Sequence, residues 1–361
     1  MKHQILFAAL TLAASPLLIS GEGRGTEIEF SVSSGTTLTK TFEITTDVTM
    51  DSFDMTMNGQ EPPMMPTMDL SLRSEVTMVF EDTYSDVSDG RPTSISRTYE
   101  TLSGESESSM EMEIMGETQN EDSSAVMNSV LEGESVEFNW DGKSESYTTV
   151  LPDGSPLDED DVEGLLEDID FRALLPDGEV SEGDEWEIDI SQLQGILAPG
   201  GDTLLIPEET EDDPDSSMGM GSNDMGDLND YFNEDCEGEF TAVFDGMQKT
   251  DDGEFAAIKF TFEISNAVDI TERVQESLED SELPEGVGEM EVEHVDLEVA
   301  YEGEGVMLWD LKAGHFHSYE ASGDFEMLTD QGMLIEAMGQ EMAIEQTMEF
   351  SGSLTYSASA E

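Results

Sequence analysis

The fold that the sequence predicts is decided at residues 38–50, which read Leu-Thr-Lys-Thr-Phe-Glu-Ile-Thr-Thr-Asp-Val-Thr-Met. Apolar side chains recur at even positions, at Leu38, Phe42, Ile44, Val48 and Met50, whereas threonine and acidic residues hold the odd positions. A period of two gives an extended chain one apolar face and one polar face. We therefore predict a β-strand with one face in the core and the other in water.

The phase of this alternation changes directly after residue 50. Phe53, Met55 and Met57 are apolar at odd positions. One extra residue in a strand shifts every later side chain to the other phase. The sequence therefore predicts a β-bulge near Asp51 and Ser52.

The same alternation recurs through most of the chain. It predicts further strands at 68–80, 93–101, 110–115, 136–140, 144–150, 237–244, 255–264, 289–301, 306–311, 315–321, 325–329 and 342–356. The pairs Asn58–Gly59, Asp141–Gly142, Asp245–Gly246 and Asp252–Gly253 are typical of hairpin turns. Helical spacing is limited to 158–167 and 271–278, with a short helical turn at 191–197. The predicted fold is mainly β, with large curved antiparallel sheets (possibly two related halves) and one or two short helices.

Composition divides the chain into four ranges. Residues 1–20 have the basic start and apolar centre of a secretory signal peptide, the alternative being a buried N-terminal helix. Residues 24–206 and 235–361 are predicted to be two β-rich domains, the first with a short helix near 158–167. Residues 207–234 are acidic and rich in glycine and serine, which is typical of a flexible linker or loop. A short similarity between Met57-Asn-Gly-Gln-Glu61 and Met338-Gly-Gln-Glu341 is compatible with a duplicated hairpin.

The charge is extreme, with 86 acidic residues against 12 basic ones in 361 residues and a formal net charge of −74. Such a polyanion repels nucleic acid, which excludes that class of partner. Self-repulsion of this size is screened at high ionic strength, so we expect a protein adapted to saline surroundings; the alternative is the ordinary acidity of exported proteins. The single cysteine, Cys236, excludes a disulfide within the chain. No apolar run is long enough for a transmembrane anchor, and the predicted location is the periplasm or the extracellular medium.

Two stretches resemble a known family. The first is Leu-Leu-Pro-Asp-Gly-Glu-Val-Ser-Glu-Gly-Asp-Glu-Trp at 174–186, and the second is Gly-Val-Met-Leu-Trp-Asp-Leu-Lys-Ala-Gly at 305–314. Both resemble motifs of exported bacterial proteins of unknown function, in which Leu-Pro precedes Val-x-x-Gly-Asp-x-Trp. The resemblance covers about thirty residues and implies no activity. We expect structural roles for Gly183 and Asp184 in a turn and for Trp186 and Trp309 in the core.

Several residues are candidate metal ligands. His315 and His317 lie two apart on a predicted strand and His294 on a neighbouring one, so the three could bind zinc or copper if the strands are in register. The alternative is that they are solvated strand residues. Asp213, Asp215, Asp224 and Asp227 could hold calcium, although no EF-hand loop is present and loose counterion binding is the alternative. Met218, Met220 and Met225 could bind copper, but methionine is more often a flexible filler of cores or apolar pockets.

Catalytic motifs are absent from the sequence, which has no nucleophile elbow, phosphate-binding glycine loop or His-Glu-x-x-His motif. The sequence therefore favours a non-enzymatic exported protein that binds an apolar ligand or lipid. The alternative is a structural or adhesive protein of the cell envelope that contacts other envelope proteins. A hydrolase is the third candidate, and the sequence does not identify its carboxylates.

Overall fold

The structure is a computed structural model that describes residues 25–62, 67–88, 90–114, 117–203, 205–207, 236–280, 287–337 and 340–361. The predicted signal peptide, the acidic stretch with Asp213, Asp215, Asp224 and Asp227, and the trio Met218, Met220 and Met225 lie outside these residues.

The described chain forms one antiparallel sheet of 13 strands. The strands are β1 Thr36–Met57, β2 Thr67–Ser88, β3 Arg91–Ile114, β4 Glu117–Asn128, β5 Ser135–Asp141, β6 Ser146–Val150, β7 Glu185–Glu187, β8 Ile206–Pro207, β9 Glu237–Lys249, β10 Glu254–Asp269, β11 Val287–Asp310, β12 His315–Ala337 and β13 Gln340–Ala360. Their order is β6-β5-β3-β2-β1-β13-β12-β11-β10-β9-β7, with β4 beside β3 and β8 beside β4. The predicted fold class, a mainly β protein with a large antiparallel sheet, is confirmed.

In the part of the chain that the structure describes, helices are few and short, as predicted. Helix α1 spans Leu193–Leu197 and helix α2 spans Thr271–Asp280. The predicted helix at 158–167 is wrong, because only a 3-10 turn at Asp160–Val162 forms there. Glu163 is extended, with ψ 141°, and Gly164 has φ +76°, so the chain leaves helical geometry directly after that turn.

The predicted bulge in the first strand is confirmed. The register of β1 against β13 shifts between Met50 and Ser52, and the inward phase changes from even to odd residues. Similar shifts occur in the β2–β3 and β11–β12 pairs. The predicted strands at 93–101 and 110–115 are one strand, β3, and the two segments predicted for each of β11 and β12 also join. The gaps between the predicted segments, at 103–109, 302–305 and 322–324, are polar stretches that contain glycine, so the apolar alternation stops there although the strand pairing continues.

Turn chemistry explains two of the turns in the described chain. Asn58 and Gly59 both have positive φ, at 51° and 72°, and Met57 and Gln60 exchange backbone hydrogen bonds across the turn. Asp252 and Gly253 connect β9 to β10. The predicted hairpin at Asp245–Gly246 is wrong: Gly246, with φ +90°, lies inside β9, where the register against β10 shifts.

The two predicted β-rich ranges contribute to the same sheet. Strand β1 of the first range pairs with β13 of the second along most of its length, from Lys40 opposite Ala360 to Met57 opposite Ile344. The N-terminal and C-terminal strands are thus neighbours at the centre of the sheet.

Among the residues that the structure describes, one end of the sheet is covered and the other is not. We call the side of the sheet that carries Phe42 and Trp309 the inner face, and the opposite side the outer face. In the covered half, residues 25–34 and 151–203 pack on the inner face as a cap; Phe171 of the cap lies 4.9 Å from the rings of Phe316 and Tyr319. The far half comprises 48–57, 67–72, 106–114, 117–128, 287–299, 327–337 and 340–350. Within the described chain, every residue of its apolar cluster belongs to a strand and none belongs to the cap.

Aromatic rings lie over glycines where the two halves meet. A Cβ atom built on Gly352 would be 2.3 Å from Cζ of Phe325, and one on Gly303 would be 2.3 Å from Cζ of Phe262. Each ring therefore occupies the space that a side chain on the neighbouring strand would need. Such aromatic-on-glycine pairs fix strand register in curved sheets.

Candidate functional site

Among the described residues, the inner face of the far half is an apolar surface that the cap does not cover. The strand register brings its side chains into rows, such as Val299, Met327, Phe350 and Met50 across β11, β12, β13 and β1. We call this surface the methionine face, and its members are Met50, Phe53, Met55, Met57, Met68, Leu70, Leu72, Met110, Met112, Met290, Met327, Met333, Ile335, Met342, Ile344, Met348 and Phe350.

The methionine face is only partly shielded. Met50 and Phe350 are buried, at 8% and 3% exposure, because neighbouring side chains pack around them. Met55, Met327 and Met348 are only partly buried. Methionine is flexible and polarizable, so such a surface adapts to apolar groups of different shape.

The described chain has surface depressions at the cap and on the sheet. One, of about 300 Å³, lies beside Leu175 and Trp186 at the cap. The other, of about 530 Å³, is open to solvent and includes Asp47, Arg73 and Asp122 among its lining residues. Neither of these two depressions is an enclosed apolar cavity, whereas the methionine face offers an apolar ligand an open surface.

The covered half contains a buried ion network that the sequence analysis missed. Nζ of Lys40 lies 2.8 Å from Oδ2 of Asp82 and 2.6 Å from Oδ1 of Asp170, and all three side chains are fully buried. Lys40 also donates to the hydroxyl of Tyr84, which in turn donates to Asp170 at 2.7 Å. Arg97 completes the network with two hydrogen bonds to Asp82 and two to the cap carbonyls of Leu166 and Glu167.

The pKa values follow from this arrangement. Burial alone would raise the pKa of the Asp82 carboxyl, but the charges of Arg97 and Lys40 outweigh burial and lower that pKa to about 2. Burial and the Asp170 carboxylate raise the pKa of Tyr84 well above its usual value. Burial also raises the pKa of Glu167 to about 7, against the opposing charge of Arg172. Perturbed groups of this kind can mark active sites, but these side chains are buried and none of them lines either depression.

A signal for this network was present in the sequence. Lys40 lies in phase with Leu38 and Phe42, so its side chain had to enter the core. Asp82 lies in phase with Phe80 and Tyr84 in the same way. A charged residue on the apolar phase of a strand needs a buried partner, and basic residues are so rare in this chain that each one is informative.

The three candidate histidines do not converge. His294 on β11 is opposite Gly332 of β12, whereas His315 is opposite Asp310 near the other end of the same strand pair. The imidazole of His317 stacks on Phe255 with ring centroids 4.3 Å apart, and Nδ1 of His315 lies 2.6 Å from the backbone oxygen of Phe316. The predicted site formed by all three is therefore wrong, because strand register separates them.

His294 instead meets two carboxylates that sequence reasoning did not select. Its Nε2 lies 3.7 Å from Oε2 of Glu345, and Asp330 completes a group whose potential ligand atoms all lie within 4.8 Å of one another. These residues lie on β11, β12 and β13 on the outer face. Only the register of three strands, distant in sequence, brings them together.

The residues of the family-like stretches lie in the covered half. Gly183 has φ +90°, and the carboxylate of Asp184 accepts a hydrogen bond from the Ser181 amide at 2.7 Å. Nε1 of Trp186 donates to the carbonyl of Leu174 at 3.1 Å. Trp309 is fully buried, and its Nε1 donates to the carbonyl of Glu29 at 3.2 Å.

No protein-family model matches the sequence, and no curated protein matches it. Among solved structures, the outer membrane protein OprG from Pseudomonas aeruginosa is similar at 7% identity over 92% of this chain and 99% of that chain, with a TM-score of 0.25. OccK7 (OpdD) from Pseudomonas aeruginosa is similar at 7% identity over 88% of this chain and 98% of that chain, with a TM-score of 0.16. Likenesses this remote carry no argument about this chain. Within the described residues, none of the helices has the length and apolar character needed to span a membrane.

Proposed function

We propose that this chain is a non-enzymatic exported protein that binds an apolar, chain-like ligand such as a lipid acyl chain on the methionine face. The observation that carries the proposal is the row structure of that face. Methionine, leucine, isoleucine and phenylalanine side chains from β11, β12, β13, β1, β2 and β3 line one side of the sheet, and many are only half-buried.

The energetics favour an extended ligand. An acyl chain gains about 0.8 kcal/mol for each CH₂ group that it buries, and a long, open apolar face lets many such groups bury at once. Coverage also removes half-exposed methionine side chains from water, which adds to the gain. The outer face of the same strands is acidic, with Asp47, Asp51, Glu345 and Glu349 exposed. An apolar chain therefore binds more favourably to the inner face than to the outer face.

The groups with perturbed pKa values do not form an accessible site. Asp82 and Arg97 are fully buried and bonded to each other, which suits a structural network and leaves no room for a substrate.

The test is lipid binding by the full chain purified without detergent. Organic extracts are analysed by mass spectrometry, and a fluorescent sixteen-carbon fatty acid is titrated into the delipidated protein. The double variant Met55→Gln/Met348→Gln makes the methionine face more polar, whereas Thr49→Gln/Thr355→Gln alters exposed outer-face residues as a matched control. We expect the first to weaken probe binding at least tenfold and the second to leave it unchanged. Equal effects, or no saturable binding by the unaltered chain, would overturn the proposal.

A second candidate is a structural or adhesive envelope protein. The observation in its favour is the covered half, where Trp309, Tyr84, Tyr99, Phe42 and Phe80 fill the space between cap and sheet. This candidate predicts that the protein carries no lipid and that chemical cross-linking on cells captures envelope proteins. Bound lipid at about one chain per protein would reject it in favour of the first.

A further inference from the structure

We propose that His294, Asp330 and Glu345 form a binding site for a transition-metal dication of the zinc type on the outer face of the far half. The proposal is independent of ligand binding on the methionine face, which lies on the other side of the sheet. It rests on three neighbouring strands that each supply one ligand.

The register places the three groups side by side. His294 is opposite Gly332, and Gly332 is opposite Glu345, so the imidazole and the Glu345 carboxylate extend over the same glycine from both sides. Asp330 lies two residues along β12 on the same face and accepts a hydrogen bond from Oγ1 of Thr347 at 3.3 Å. That hydrogen bond holds the Asp330 carboxylate beside the pair.

Gly332 provides the space that the site needs. A Cβ atom there would be 2.4 Å from Cε1 of His294, 2.6 Å from Nδ1 of His294 and 3.2 Å from Oε2 of Glu345. Any larger residue would push the imidazole away from the carboxylate. The glycine thus allows the two side chains to meet above the middle strand.

The charge around the group is also that of a cation site. Asp269, Asp296 and Asp330 lie directly opposite one another on β10, β11 and β12, in the row next to His294. Like charges directly opposite on neighbouring strands repel each other. A bound dication would relieve this repulsion.

The ligand set selects the metal. One imidazole nitrogen with two carboxylates suits zinc-type ions, whereas calcium takes six to eight oxygen ligands and does not use imidazole. Zinc with bonds of about 2.0–2.2 Å brings tetrahedral ligand atoms to roughly 3.3–3.6 Å from one another. The 3.7 Å separation of His294 Nε2 and Glu345 Oε2 is close to that value. The remaining position is open to water.

The experiment is calorimetric titration of ZnCl₂ into the full, metal-stripped chain in the presence of excess CaCl₂, which saturates diffuse binding to the acidic surface. We expect one saturable zinc site that calcium does not abolish. His294→Gln and Glu345→Gln should each weaken it at least tenfold, whereas His317→Gln, which removes the imidazole stacked on Phe255, should leave it unchanged.

Gly332→Ala tests the geometry without removing a ligand. We expect it to weaken zinc binding to a similar extent, with a circular dichroism spectrum and melting midpoint that report retained folding. In proton NMR, zinc should shift the imidazole resonance that His294→Gln removes. Abolition of the zinc heat by calcium, or unchanged zinc affinity in His294→Gln, would overturn the proposal.

Discussion

Arg97 and Asp82 form a bidentate ion pair at the centre of the covered half, with Nε 2.8 Å from Oδ1 and Nη2 3.0 Å from Oδ2. Both side chains are fully buried. The same carboxylate also accepts a hydrogen bond from Lys40, and Arg97 continues to the cap through two backbone carbonyls. The pair therefore joins the sheet to the cap.

We predict that Asp82→Asn lowers the free energy of unfolding by about 3–5 kcal/mol, because it removes the buried counter-charge of Arg97 and one of the two carboxylates that pair with Lys40. Urea unfolding at neutral pH measures this loss. Asp47→Asn is the control, since it removes an exposed partner of Arg73 and should barely move the midpoint. A loss no larger than that of the control would contradict a structural role for the network.

The raised pKa of Glu167 predicts a pH effect of a definite sign. Its folded-state pKa of about 7 exceeds the ordinary value of 4.5, so between these two values the folded state holds a proton that the unfolded state has released. This group therefore favours the folded state below pH 4.5, and that contribution is lost as the pH rises through 7. We expect Glu167→Gln to flatten the fall in stability between pH 5 and 7, with Glu163→Gln, an exposed neighbour, as the control. Parallel curves for wild type and Glu167→Gln would refute the assignment.

Salt should stabilise the chain, because a net charge of −74 repels itself more strongly in the compact state. We expect the melting midpoint to rise between 10 mM and 1 M NaCl as the screening length falls from about 30 Å to 3 Å. Sucrose at matched osmolality separates screening from solute exclusion. Equal midpoints at both salt concentrations would argue against adaptation to saline surroundings.

The close contact of Phe325 with Gly352 predicts a mutational cost. A methyl group at 352 would lie 2.3 Å from the Phe325 ring and 2.5 Å from the backbone oxygen of Asp47. Since the backbone cannot move aside freely, Gly352→Ala should destabilise the protein by about 1–3 kcal/mol. Gly178→Ala, which meets nothing within 4 Å, should change stability by less than about 0.5 kcal/mol. Similar thermal shifts in both variants would show that the ring contact is unimportant.

Two-residue periodicity was sufficient to predict the fold class and the bulge after Met50. A strand with one face in the core has apolar residues at every second position, and this pattern is visible in the sequence. Strand β4 was missed because its sequence, Glu-Thr-Gln-Asn-Glu-Asp-Ser-Ser-Ala-Val-Met-Asn, has no apolar face. Strand length was underestimated where a polar stretch with glycine interrupts the apolar alternation, as in β3, β11 and β12.

The site was harder to predict than the fold. His294 could be selected from its chemistry, but its neighbours Asp330 and Glu345 are two among 86 acidic residues. Which of them approach His294 is set by the register of three strands, and alternation within one strand carries no information about its partner. The Lys40–Asp82 network could be predicted in part, because both are charged residues at strand positions where the alternation places apolar side chains.

The strands at the two ends of the sheet are short. Strand β7 has 3 residues and β6 has 5, and β4, which extends the far half beyond β3, is strongly polar. Long, flat, apolar margins act as templates on which other copies of a chain add by backbone pairing. A molecule with so many long strands would be at risk of fibril growth. These short or polar edge strands give an incoming strand little surface on which to pair.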